Sequence, residues 1–327
     1  MTPPYLRFAL RRVLQAVIVM LLAYVFTFVV VSILPGDPVT NILRDPQNGF
    51  SEDEIARIIA AQGLDRPVLE QLWSSLAGFV TGDFGLSLRS SRPVAVLLAE
   101  VLPSTLILAA TAMAIALGLA LLIAYASRFL PQGFGQGLVR GLPSLFLSVP
   151  NFVIGLMLIH VFGFQLGLFM VIDPNSFWAT FFAAIALGIP ISAQIAAVLI
   201  ANLDNEAGQE YASVARARGL GQGALFFRHL LRPSALPVVT VIALTVGEVL
   251  GGAVITETVF GRNGVGSLVQ RAVVTQDLPV LQAVVSLAAV VFVTVNLLAD
   301  LIYPLLDPRV SLIGPRLHDK ATPQVNA

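Results

Sequence analysis

Six stretches of this chain stay apolar for the thickness of a bilayer, and they restrict it to one kind of fold. They cover residues 13–34, 104–127, 141–166, 177–202, 234–256 and 281–303. A helix needs about 20 predominantly apolar residues to cross the hydrocarbon core. The composition offers no means of hiding these stretches in water. Of 327 residues, 57% are hydrophobic and only 12% charged, with a mean hydropathy of +0.86, so a soluble domain could not cover its own apolar surface. The third stretch carries Pro143, Pro150, Asn151 and His160. Neighbouring helices can re-satisfy the backbone groups that a proline frees, so it is read as one kinked span. The expectation is an all-α integral membrane protein with six transmembrane helices.

Arginine placement orients these spans. Arg7, Arg11 and Arg12 precede the first; Arg128 and Arg140 lie between the second and third; Arg216, Arg218, Arg228 and Arg232 lie between the fourth and fifth; Arg309, Arg316 and Lys320 follow the sixth. On the other side the short loops hold only Arg262 and Arg271, and the 167–176 connection holds no basic residue. Both termini are therefore expected in the cytoplasm. Residues 35–103 become a helical extracytoplasmic segment, a small lid on the outer mouth, with acidic helix-like stretches at Ser51–Gln62 and Pro67–Val80. Ser51-Glu52-Asp53-Glu54 reads as a capped helix start, and Gly82-Asp83-Phe84-Gly85 as a turn. The first apolar run is long and ends at Leu34-Pro35-Gly36-Asp37-Pro38 without a small-x-small cleavage site, so it is read as a retained span.

Several chemistries are excluded. Cysteine is absent, which rules out disulfides and thiolate metal sites. A phosphate-binding loop of the Walker type needs a lysine after its glycines, and the only lysine is Lys320. His160, His229 and His318 are isolated rather than paired one helical turn apart, so no zinc-protease pair exists and no metal site is expected. No G-x-S-x-G elbow occurs; Gly85-Leu86-Ser87 is a fragment of it in a loop. The chain is read as a non-enzyme.

The polar insertion between the fourth and fifth spans is where function concentrates. Tyr211, Val214 and Ala215 fall at i, i+3 and i+4 on one narrow apolar face, Glu210 stands at the helix start, and Gly219 and Gly221 end the helix. Spacing alone admits two readings: an amphipathic helix lying on headgroups, or a helix that docks a partner. Within the spans, ionisable groups are costly and mark pathways or helix contacts. Glu248, with Thr245 nearby, either lines a path through the membrane or an interface with a partner, or is hydrogen-bonded within its own bundle. Asn296 and Asp300 are read as structural, Asp300 pairing with a basic group near the cytoplasmic face, and Glu257 as an outer-edge residue. A stand-alone ion-coupled carrier would show broken helices in paired repeats, and no inverted repeat stands out.

The run Glu210-Tyr211-Ala212 through Ala215-Arg216-Ala217-Arg218-Gly219-Leu220 to Leu236-Pro237 resembles the EAA loop of bacterial ABC transporter permeases. Further motifs agree in order: Leu34–Pro38, Gly63-Leu64-Asp65-Arg66-Pro67, Gly82–Ser87, Thr256-Glu257-Thr258-Val259-Phe260, Asn296-Leu297 with Asp300-Leu301-Ile302-Tyr303, and Asp307-Pro308-Arg309. Together they resemble the first permease of dipeptide, oligopeptide and nickel import systems over nearly the whole chain. The resemblance implies a type I importer permease fold, divided into 1–103 (first helix plus outer segment), a core at 94–303 with its coupling loop at 204–233, and a cytoplasmic tail at 304–327. It implies ATPase coupling by Glu210, Tyr211, Ala212, Val214, Ala215, Arg216, Arg218 and Gly219, and a pathway or gate at Glu248, Thr245 and Glu257. It further implies a second permease as heterodimer partner, two cytoplasmic ATPases holding ATP and Mg, an extracytoplasmic solute-binding protein, and a place in the bacterial inner membrane with lipid around it and no nucleic acid. Cargo would be peptides, with nickel, metal-chelate or glutathione import as the alternative. Two features depart from the pattern: the outer loop between spans three and four is short, and Ala201-Asn202-Leu203-Asp204-Asn205-Glu206 stands where basic residues are usual.

The orientation has a direct check, because no native cysteine interferes. Of single cysteines placed at Ser51, Ser213 and Thr322, only the first is expected to react with an impermeant thiol reagent in intact cells; labelling at 213 would reverse the topology.

Overall fold

A computed structural model describes residues 3–33, 51–62, 66–130 and 134–306. The Leu34–Pro38 motif, Gly63–Asp65, Asp307–Arg309 and the basic residues of the tail lie outside the described residues. The described residues are almost entirely helical. Five helices are long and apolar enough to cross a membrane: α1 (Pro3–Ile33), α4 (Val94–Phe129), α7 (Phe177–Ala207), α11 (Leu236–Val259) and α13 (Leu278–Leu306).

The third span differs from the single kinked helix expected over 141–166. It is a pair, α5 (Phe134–Ser148) and α6 (Asn151–Leu158), the latter continuing as a π-helical stretch through Gln165, and the two arms meet at 98°. Pro150, at φ −58° and ψ 143°, is ruled out by its ψ from continuing the helix and instead starts α6. Pro143, about two turns earlier, stays inside α5. Thus the chain makes six crossings only if this broken pair is counted as one.

Helices α4 and α7 form the closest-packed pair. Leu108, Ala112, Ala116, Ala120 and Ala124 recur every four residues along one face of α4, all 0–1% exposed, and α7 brings Ala183, Ala184, Ala186 and Ala196 to the same core. Between lipid-embedded helices apolar burial is no driving force, so close backbone approach through small residues replaces it. Gly188 marks the tightest point: a Cβ there would stand 2.8 Å from the Ala112 carbonyl oxygen. Around this seam α11 packs on α7 and α13, and α1 lies along α13, fixed by Arg12–Asp300 at 3.2 Å and by the Tyr5 hydroxyl donating to the Leu301 carbonyl at 3.0 Å.

The outer segment is held down by one buried carboxylate. Helix α2 (Glu52–Gln62) begins with a reciprocal cap, Ser51 N–H donating to the Glu54 carboxylate at 2.9 Å and Glu54 N–H to the Ser51 hydroxyl at 3.3 Å; the Ser51 N–H and the Ser51 hydroxyl, which donates to the carboxylate at 3.0 Å, hold the Glu54 carboxyl below its ordinary range. Helix α3 (Val68–Thr81) ends at Gly82, whose φ of +82° suits glycine. The following turn brings the Ser87 hydroxyl to Asp277 at 2.5 Å and Leu88 N–H to the same carboxylate at 3.2 Å, with Leu88 packed beside Ile55. Asp277 immediately precedes α13, where a carboxylate suits the helix dipole. Ser87 is thus a structural serine.

Substituting Gly188 by valine forces the α4–α7 seam apart. The expected outcome is a loss of about 1–3 kcal/mol in stability, read as a lower melting temperature in detergent, with Gly118→Val, which meets open space, as the tolerated control.

Candidate functional site

Four short elements build the loop between α7 and α11. Helix α8 (Glu210–Ala217) follows the Gly208-Gln209 link, Gly219 closes it at φ +80°, and α9 (Gln222–Leu225), a π turn and α10 (Leu231–Ser234) return the chain to α11. The two faces of α8 point in opposite directions, with the buried positions three residues apart. Ala212 and Ala215 are 0% and 7% exposed and join the core with Ala207, Leu225 and Phe226. Tyr211 and Val214 stand 41% and 50% exposed, with Glu210, Arg216, Arg218 and Gly219 also exposed. The apolar ridge expected from Tyr211, Val214 and Ala215 is therefore split: Ala215 faces inward, and Tyr211 and Val214 face out.

Several contacts tie α8 to the bundle. The Arg216 guanidinium donates to the Ala207 carbonyl at 2.7 Å, at the end of α7. The Tyr211 hydroxyl donates to Glu206; burial and the neighbouring carboxylate push its pKa up to about 12, so it remains a donor at physiological pH. Arg140 grips Asp204 through two hydrogen bonds, at 2.8 and 2.9 Å, and Arg128 stands 3.6 Å from the same carboxylate. Asp204, in the stretch where basic residues are usual, thereby closes a charge cluster joining α4, α5 and α7. Tyr125, Phe129 and Phe226 stack edge to face behind the loop, with centroids 4.7–5.8 Å apart. The sequence marked Arg140 only for orientation and Asp204 only as a departure from basic residues, and it did not pair them. Spacings of 64 and 76 residues between Asp204 and its arginines, and of 97 and 101 between Phe226 and its aromatic partners, leave no local signal.

The intramembrane polar residues separate. Glu248, the middle of α11, is exposed and accepts a hydrogen bond from Gln194 of α7 at 2.6 Å. Thr245 does not join it: fully buried, its hydroxyl donates to the Ile242 carbonyl of its own helix at 2.8 Å. Asn296 likewise bonds the Phe292 carbonyl, and Asp300 pairs with Arg12, the basic partner that its position called for.

Glu257 is not at an exposed outer edge. It is 0% exposed and organises the start of α12 (Val265–Val274). One carboxylate oxygen accepts from Thr105 of α4 at 2.6 Å and the other from Ser267 N–H at 3.0 Å, while Val265 N–H donates to the Thr105 hydroxyl at 2.7 Å. The charge sits at a helix N-terminus, where the dipole favours it. Gly264 and Gly266 let the backbone approach, since a Cβ on Gly264 would stand 2.2 Å from the carboxylate. Beside it Arg262, 3% exposed, donates to the Pro174 carbonyl, to Thr180 at 2.7 Å and to Ser104 at 3.1 Å. Burial lowers the pKa of this guanidinium, and the Glu257 charge opposes that shift. Among the described residues no cluster of potential metal ligands occurs.

With this geometry stands the likeness to known proteins. The profile of a family described as binding-protein-dependent transport system inner membrane component matches residues 116–312, and its N-terminal companion matches residues 5–109. The chain belongs to that family. Its relatives include the glutathione transport system permease proteins of Escherichia coli K12, Shigella boydii and Shigella flexneri, each 30% identical over 306 residues, spanning 93% of this chain and 99% of theirs. The permease is thus a multi-pass inner-membrane component of an ABC importer that works with a solute-binding protein and ATPase partners. Within the permease, the Glu257 cluster fastens α4, α11 and α12 together. Glu257→Gln keeps the size but turns an NH2 group toward one of two donors, so about 1–3 kcal/mol of stability should be lost; Glu257→Leu should lose more. Melting in detergent checks the order.

Proposed function

We propose that this permease forms half of a translocation pathway for peptide-type cargo and that α8 is the lever through which ATPase subunits drive it. The supporting observation is the division of α8 into an inward face, Ala212 and Ala215, anchored in the core, and an outward face of Tyr211, Val214 and Arg218 left uncovered. A helix lying passively on headgroups would have no need of a rigid inner anchor. A helix that transmits force needs both. The partner half is a second, similar permease, ATP and Mg are held by two cytoplasmic ATPases, and both termini face the cytoplasm. Nucleotide-driven closure of the ATPases would push α8 and, through Arg216, Ala207 and the Asp204 cluster, tilt α7 and α4 between inward-open and outward-open arrangements. Cargo of the peptide class is supported by the relatives' name, glutathione being itself a tripeptide. Nickel or chelate import has no comparable support.

Val214→Glu places a charge on the outward face. ATP-driven uptake in proteoliposomes carrying the assembled complex should fall about tenfold, as expected when a charge must be desolvated in an apolar cleft, and ATPase subunits should be lost on purification. Ala215→Glu should instead lower the melting temperature of the permease itself, because that side chain is buried in the core. Wild-type retention and uptake by Val214→Glu would remove α8 as the docking element.

A further inference from the structure

We infer that the Glu248–Gln194 pair is a cargo-binding station for a cationic amine, the ammonium group of a peptide, midway along the pathway; this rests on the peptide-importer reading above. Glu248 lies at the centre of a 24-residue membrane helix, yet its side chain is exposed. It sits within a stripe of exposed positions on α11, Leu244, Gly251 and Ile255, that is otherwise apolar. Its hydrogen-bond partner, Gln194, is neutral, and none of the ion pairs Arg12–Asp300, Arg92–Glu100, Arg128–Asp204 and Arg140–Asp204 involves it. A carboxylate at this depth is costly unless a cation or water meets it.

A second observation marks the same level. The third span breaks at Pro150, and the new helix start abuts α11 one turn beyond Glu248: the Asn151 amide would lie 3.3 Å from a Cβ on Gly252. In secondary transporters interrupted helices and polar groups converge on the solute site, and here a helix break and a carboxylate share one level. Gln194 donates through its amide and leaves the other carboxylate oxygen for a donor from cargo. An ammonium group brings the missing positive charge and up to three donors. It arrives with cargo and leaves with it, so the carboxylate is paired only during passage.

The test uses the complete complex in proteoliposomes, with its binding protein, and follows ATP-driven uptake of dialanine, trialanine and glutathione. Glu248→Gln should lower the maximal uptake rate about tenfold or more, the worth of one charge-assisted hydrogen bond, while the permease pair is recovered in normal yield. Glu248→Asp should retain part of the rate, and Gln194→Leu should fall between Glu248→Gln and wild type. Unchanged uptake by Glu248→Gln overturns the station. So does loss of the permease pair on purification, which would make Glu248 an interface residue facing a partner's cation. Failure of the wild-type complex to move any of the three peptides removes the peptide reading itself, a result distinct from either.

Discussion

Lipid offers helices α4 and α7 no apolar reward for associating, so their close approach depends on small side chains along both helices. Alanines spaced four apart on α4, and Gly188 against the Ala112 carbonyl, bring the backbones near enough for dispersion to accumulate. The other functional elements are attached to this seam. The π turn and aromatic residues of the loop between α7 and α11 rest against the end of α4, α8 follows α7 after the Gly208-Gln209 link, and α11 carries Glu248 across the same pair.

Each end of the seam is closed by a buried or half-buried charge with several partners. At one end Asp204 receives Arg140 and Arg128; at the other Glu257 receives Thr105 and the first turn of α12, with Arg262 alongside. Such carboxylates are tolerated because their donors converge on them; a single neutral partner leaves desolvation unbalanced. Glu248 is the contrast. It lies between the two clusters with one neutral partner and an open face. The proposed tilt draws on the clusters at the two ends, and the proposed cargo station on the single neutral partner of the carboxylate between them.

The sequence by itself determined that the chain lives in a membrane, which stretches form helices, and which family it joins. Apolar runs of bilayer length leave no other solution, and the ordered motifs from Gly82–Ser87 to Thr256–Phe260 carry the resemblance. It also located the start of α8 at Glu210 and its end to within two residues, since Gly219, which closes it, is written in the chain. The direction in which each side chain points was decided only by tertiary structure. Ala215 faced inward although its spacing placed it with Tyr211 and Val214; Thr245 and Glu257 were buried although position suggested a path and an outer rim. The bend at Pro150 became a break of 98° rather than a kink. The physical reason is the same in each case. Periodicity assigns residues to faces of one helix, but which face meets lipid, core or pathway is set by neighbours as distant in the chain as Thr105 is from Glu257 and Gln194 from Glu248.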